Sequence, residues 1–181
     1  MLIFKHGDLL NSSAQTLVNT VNCVGVMGKG IALRFRKAYP EMFLDYMSRC
    51  RDHELKLGEP YMYRTASKQI INFPTKNHWR GCSDLKSIRI GLERIREQWE
   101  EWGVLSLAIP PLGCGNGGLD WSDVRPLIVE VLTPVDIDIQ VYEPSPFELR
   151  PPSLEVAASA ERAAVPPCQA GDVQPEQLYL F

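Results

Sequence analysis

The chain has 181 residues, 45% of them hydrophobic and 23% charged, with a formal net charge of −3. That balance suits one domain with a buried core and excludes a low-complexity or strongly polyelectrolyte chain. No apolar run is long enough for a bilayer, the opening MLIFKHGDLL has no basic stretch leading into an apolar one, and the five cysteines form no CxxC pair, so neither a membrane span, a secretory leader, a zinc site nor a disulfide framework is expected. A reducing cytoplasm is the expected compartment.

Taken in chain order, Leu2–Lys5 and Thr16–Val21 read as short apolar strands. A helix is expected from Gly30 to Ala38, and Pro40 opens another in which Met42, Phe43, Tyr46 and Met47 share a face. Strands follow at Tyr61–Arg64 and Gln69–Phe73. Ser83 is the expected N-cap of a helix from Asp84 to Trp102, stopped by Gly103, with Leu85, Ile88, Leu92, Ile95 and Trp99 as its core stripe. Val104–Ile109 is a buried-type strand, Ser122 caps a helix to about Leu132, and Ile137–Tyr142 is the last strand. Strands alternating with helices predict an α/β fold with a parallel or mixed sheet. From Glu143 onward the periodicity ends and half of the fourteen prolines follow, which divides the chain into a domain at 1–143 and a Pro-rich tail at 144–181.

Charge is uneven. Residues 143–181 carry a net of −4, whereas the window 64–96 holds eight Lys or Arg against Asp84 and Glu93. An anionic partner is permitted there but not demanded.

Two glycine-rich loops each follow an apolar strand. The first runs Asn19-Thr20-Val21-Asn22-Cys23-Val24-Gly25-Val26-Met27-Gly28-Lys29-Gly30 and leads into a helix; the second is Pro110-Pro111-Leu112-Gly113-Cys114-Gly115-Asn116-Gly117-Gly118. Glycine lets backbone N–H groups approach phosphate oxygens, and a helix N-terminus favours an anion. Neither loop completes a P-loop or a dinucleotide fingerprint, and a lone glycine loop is usually only a turn. Two of them at strand carboxyl ends point to a pyrophosphate-containing nucleotide.

GDLL at 7–10, VNTVNCVGVMGKGIALRF at 18–35 and PPLGCGNGGLDW at 110–121 resemble the macrodomain family of ADP-ribose binders. With FPTK and HWR inside 73–80, the likeness is to its DNA ADP-ribosyl glycohydrolase antitoxin branch, DarG. It spans about residues 1–142 and implies a mixed sheet sandwiched between helices, a three-layer α/β/α arrangement, with ADP-ribose at the sheet's crest. On that resemblance Asp8 accepts from the adenine amino group with the Leu9 amide nearby, Asn22 hydrogen-bonds the distal ribose, and Thr20 and Val21 belong to the ADP-ribose site. Gly28, Lys29, Gly30 and Ile31 line one side of the pyrophosphate, Gly113, Cys114, Gly115, Asn116, Gly117 and Gly118 line the other, and Tyr142 packs on adenine.

The resemblance also makes Lys76 catalytic, as a nucleophile towards the opened distal ribose or as a cation that stabilises the departing base. On composition alone a loop lysine is idle and solvated. The related hydrolase that removes ADP-ribose from glutamate pairs its lysine with an aspartate in the second loop, but here no carboxylate occurs before Asp120. His78 is a candidate base or phosphate contact, and Trp79 with Arg80 a candidate contact to single-stranded DNA. A Cys–His nucleophile using Cys23 or Cys114 is the weaker chemistry, since thiols in tight loops are usually buried and inert.

The expected activity is therefore hydrolysis of ADP-ribose from nucleobases of single-stranded DNA, without metal or cofactor, by a monomer that counters a DarT-type toxin. Two alternatives stand beside it: a module that reads ADP-ribose without cutting it, and a hydrolase acting on acidic protein side chains. DarG relatives usually carry a larger toxin-binding C-terminal domain, for which a 38-residue tail leaves no room.

Overall fold

The parity of apolar residues along the strands sorts them onto two faces. Val18, Ile71, Phe73, Leu107, Ile109, Ile139 and Val141 meet one set of helices, while Leu17, Val21, Ile70, Ala108 and Tyr142 meet another. In this computed structural model, which describes residues 1–144, the strands are β1 (Leu2–Lys5), β2 (Thr16–Asn22), β3 (Tyr61–Arg64), β4 (Gln69–Lys76), β5 (Ser106–Ile109) and β6 (Asp138–Tyr142). The helices are α1 (Gly30–Ala38), α2 (Pro40–Arg51), α3 (Leu85–Gln98) and α4 (Trp121–Leu132). The sheet order is β1-β6-β5-β2-β4-β3, with every neighbouring pair parallel except the antiparallel edge pair β3–β4. Helices α1 and α2 cover one face through Phe35, Met42 and Tyr46; α3 and α4 cover the other through Ile88, Leu92, Ile95, Val124 and Ile128. The three-layer α/β/α expectation therefore holds.

The expected helix through Leu92 sits flush on the sheet because of Gly91. A Cβ there would lie 2.2 Å from the Phe73 ring, so the ring fills the side-chain site. A mid-helix glycine otherwise costs about 1 kcal/mol relative to alanine, and close helix–sheet packing is what it permits. Leu85, assigned to the core stripe from its spacing, is 37% exposed, because it lies in the first turn, ahead of the contact with the sheet.

Both predicted serine caps are displaced by neighbouring aspartates. Asp84 Oδ1 accepts from the Ser87 amide at 2.8 Å, and Asp120 Oδ1 from the Ser122 amide at 3.5 Å. Helix α3 ends at Gln98, four residues before the expected Trp102. Strand β5 starts at Ser106, two residues after the expected Val104. Strand β4 runs three residues beyond Phe73, because Phe73 and Pro74 continue the pairing with Thr20 and Val21 before the register shifts and Asn22 meets Lys76. The tail expected from 144 onward lies, from residue 145, outside the described residues.

Candidate functional site

Because β1, β2, β4, β5 and β6 run parallel, their carboxyl ends share one crest of the sheet. At its centre β2 and β5 are neighbours, but the chain leaves them in opposite directions: β2 leads to α1 on one face, and β5 leads to α4 on the other. Such a divergence opens a crevice between two loops, the usual ligand position in open α/β sheets.

The first loop is shaped from within by Asn22. Its Nδ2 donates to Val26 O at 2.6 Å, and its Oδ1 accepts from Val24 N at 3.1 Å and from Tyr46 Oη at 3.0 Å. Tyr46 also donates to Asn22 O at 2.8 Å. Asn22 is thus 5% exposed, with its side chain committed to loop geometry. The loop ends at Lys29, the N-cap of α1, where no side chain caps the first-turn amides. An anion site needs such uncapped first-turn amides. Thr20 and Ile31 are half-buried, Val21 is buried, and Gly28, Lys29 and Gly30 are exposed.

The second loop meets the first. Gly30 has φ +57, and a Cβ on it would stand 3.2 Å from Asn116 Nδ2, so only a glycine allows this approach without displacing Asn116. Below the second loop lies Ser83, whose amide donates to Gly117 O at 2.9 Å. A Cβ on Gly117 would be 2.5 Å from Ser83 Oγ. That hydroxyl is buried without a hydrogen-bond partner. Gly113 and Gly117 are buried against Ser83, while Gly115, Asn116 and Gly118 are exposed and Cys114 is half-buried.

Lys76 ends β4 and reaches across to the second loop, donating from Nζ to Asn116 O at 2.8 Å. Half-burial removes water from its ammonium and draws its pKa below the ordinary 10.5. The following residue, Asn77, accepts from the Cys23 amide at 3.0 Å, tying the end of β4 to the first loop as well. Beyond it His78, Trp79 and Arg80 form an exposed stack. The His78 and Trp79 ring centroids are 5.4 Å apart, and the Arg80 guanidinium lies 4.5 Å from the Trp79 centroid. His78 Nδ1 accepts from the Arg80 amide at 3.2 Å, and desolvation, then Arg80 and Lys76, hold its pKa below the usual value.

At the end of β1, Asp8 caps the short turn Leu9–Asn11, with Oδ1 accepting from the Leu10 amide at 3.0 Å. Its Oδ2 pairs with Arg34 of α1, a residue that the motif reading did not single out. That guanidinium, more than any other group, keeps the Asp8 carboxyl ionised below its usual range. Tyr142 and Leu9 are buried in the α1–α2 side of the core. Burial pushes the Cys23 thiol up to about 11 with help from Cys50, and the Cys114 thiol up to about 11 with help from Asp120. Both thiols are therefore protonated at neutral pH, which argues against a cysteine nucleophile. Among the described residues no group of three or more His, Cys, Asp or Glu is placed to hold a metal ion.

A family model described as Macro domain matches residues 18–128. The chain is 47% identical over 150 residues to the DNA ADP-ribosyl glycohydrolase of Mycobacterium tuberculosis, covering 80% of this chain and 43% of that relative. It therefore spans less than half the length of that protein. Among solved structures, the macrodomain of Mycobacterium tuberculosis DarG matches with a TM-score of 0.78 at 47% identity, covering 80% of this chain and 99% of that one. Thermosipho africanus DarTG in complex with ADP-ribose matches with a TM-score of 0.78 at 40% identity, over 86% of this chain and 44% of that one.

Proposed function

The chain belongs to the macrodomain family, and we propose that it hydrolyses ADP-ribose from nucleobases of single-stranded DNA, as the antitoxin to a DarT-type DNA ADP-ribosyltransferase. The observation that carries this reading is the position of Lys76. A half-buried amine with a lowered pKa stands between two glycine loops, 2.8 Å from a backbone oxygen of the second. A module that only reads ADP-ribose needs the loops but has no use for a desolvated amine at the distal-ribose end.

The reaction breaks the bond between the ribose anomeric carbon and a base nitrogen. Water supplies the hydroxyl to the carbon and the proton to the base. Lys76 acts on that bond, the first-turn amides of α1 and the second loop hold the pyrophosphate, and Asp8 receives the adenine amino group. Asn22 serves the distal ribose by fixing the shape of the loop beneath it. Hydrolysis at acidic protein side chains finds less support. The second loop holds no carboxylate, and Asp120 is occupied as the cap of α4.

Several relatives support the DNA substrate, among them proteins named DNA ADP-ribosyl glycohydrolase and a transferase–glycohydrolase fusion. The exposed His78–Trp79–Arg80 stack adjoins Lys76 and suits an unpaired base with its phosphate. The groups named here lie within one chain, which supports a monomer, and the proposal extends to action in the cytoplasm. The test is parallel incubation with ADP-ribosylated single-stranded oligonucleotide and with glutamate-ADP-ribosylated protein. Faster release of ADP-ribose from the oligonucleotide is expected; faster release from protein would overturn the substrate assignment.

A further inference from the structure

Arg34 lies one helical turn beyond Gly30, on the helix that begins where the first loop ends, and its guanidinium is bonded to Asp8 at the end of β1. The pair joins the adenine end of the crevice to the pyrophosphate end through a single turn of α1. The lone pairs of Asp8 are divided accordingly. Oδ2 accepts from Arg34 and, at 3.4 Å, from Asn11 Nδ2; Oδ1 accepts from the Leu10 amide at 3.0 Å. A carboxylate oxygen has two acceptor sites, so Oδ1 retains one that no donor among the described residues fills. With the carboxylate's rotation fixed by Arg34 on one side and the Leu10 amide on the other, that site keeps one direction.

Resting on the reading of Asp8 as the adenine acceptor, we infer that Arg34 is a positioning residue for base selection: it holds the Asp8 carboxylate in the rotation that accepts the exocyclic amine of adenine. Arg34 is the charged group that faces Asp8; the neighbouring His6 turns instead to Glu143, 3.3 Å away. The pair is not a stability device. The Arg34 side chain is 51% exposed, and ion pairs so solvated contribute little to folding. A role in binding is therefore separable from a role in folding.

The experiment compares ADP-ribose with its hypoxanthine counterpart, which has a carbonyl in place of the amine, by calorimetry on the wild type, Arg34→Ala, Arg34→Lys and Asp8→Ala. The wild type is expected to prefer ADP-ribose by at least about tenfold, the factor that one charge-assisted hydrogen bond supplies. Arg34→Ala should cut that preference to about threefold or less with an unchanged melting temperature, and Arg34→Lys should restore part of it. The pH profile adds a second readout. With Arg34 present the carboxyl stays ionised into the ordinary aspartate range, so wild-type affinity should be flat from pH 5 down to about pH 4. Without Arg34 the carboxyl titrates at a higher pH, closer to the ordinary aspartate value, and affinity should fall within that interval. If Asp8→Ala loses the preference while Arg34→Ala keeps both the preference and the flat profile, the inference about Arg34 fails and the reading of Asp8 stands. If Asp8→Ala keeps the preference, the reading of Asp8 fails and takes the inference with it.

Discussion

Replacing Gly117 with alanine places a methyl carbon 2.5 Å from Ser83 Oγ and 3.2 Å from Ser83 Cβ. Oγ has no hydrogen bond to lose on rotating, but Ser83 is 7% exposed, so a rotated hydroxyl meets other packed atoms and the second loop must lift. Overpacking of this kind costs about 1–3 kcal/mol. In a domain of this size each kcal/mol moves the melting temperature by about 2–4 °C, so Gly117→Ala should lower it by about 2–12 °C. Ser83→Ala removes an unpartnered buried hydroxyl and should be near neutral. In that background the new methyl meets only a Cβ at 3.2 Å, a contact that a shift of a few tenths of an ångström relieves. The double-mutant cycle should therefore show a favourable coupling of about 1–2 kcal/mol. Because Gly117 belongs to the loop expected to hold the pyrophosphate, ADP-ribose affinity should fall in Gly117→Ala and recover in the double variant. Thermal melting and calorimetry on the four proteins check both halves. Strict additivity in the cycle, or an unchanged melting temperature in Gly117→Ala, would refute the contact between the second loop and Ser83.

Lys76→Ala should fold, bind ADP-ribose and lose turnover; wild-type rates measured on modified oligonucleotide would remove Lys76 from the chemistry. Desolvation holds the Lys76 amine below 10.5, so the wild-type pH–rate profile should bend below that pH. Rates that rise through the bend mark an amine nucleophile, and rates that fall mark an ammonium charge stabiliser. Asp8→Ala should weaken ADP-ribose binding by about one to two orders of magnitude, the loss of a hydrogen bond to a charged acceptor, as read by calorimetry. Trp79→Ala and Arg80→Ala should slow turnover of modified single-stranded DNA while leaving the affinity for free ADP-ribose unchanged, and the DNA term should weaken with added salt. A chain ending near Pro144 should melt cooperatively and bind ADP-ribose; an insoluble product would show that the following residues complete the domain.

The strands were legible because alternation survives short lengths. In β5 Leu107 and Ile109 meet one helical layer while Ala108 meets the other, and in β4 Ile71 and Phe73 oppose Ile70 in the same way. The boundaries were less so. The expected strand ended at Phe73, but Pro74 lies within the β4 ladder against Val21, where the register then shifts. The caps moved by one or two residues because Ser83 and Ser122 stand beside aspartates whose carboxylates accept more strongly. Of the site, the two loops and Lys76 were visible as motifs, and the crest brings them together. Arg34 was not singled out, because an exposed arginine in a helix reads as solvated surface. Its spacing of four from Gly30, which puts both on one face of α1, was the available signal. Ser83 could not be read either, since its contacts with Gly113 and Gly117 join residues 30 and 34 positions apart.

The two glycine loops belong to different layers, one continuing into α1 and the other into α4 on the opposite face of the sheet. A pyrophosphate gripped by both would act as a cross-brace through the crest, and saturating it at a hundred times Kd would stabilise the fold by about 2.7 kcal/mol. Amide hydrogen exchange should then slow in the first turns of both helices together, although the two share no backbone hydrogen bond. The product of the proposed reaction is free ADP-ribose, which carries that same brace. Its departure would then loosen both layers together, in a step that follows bond cleavage.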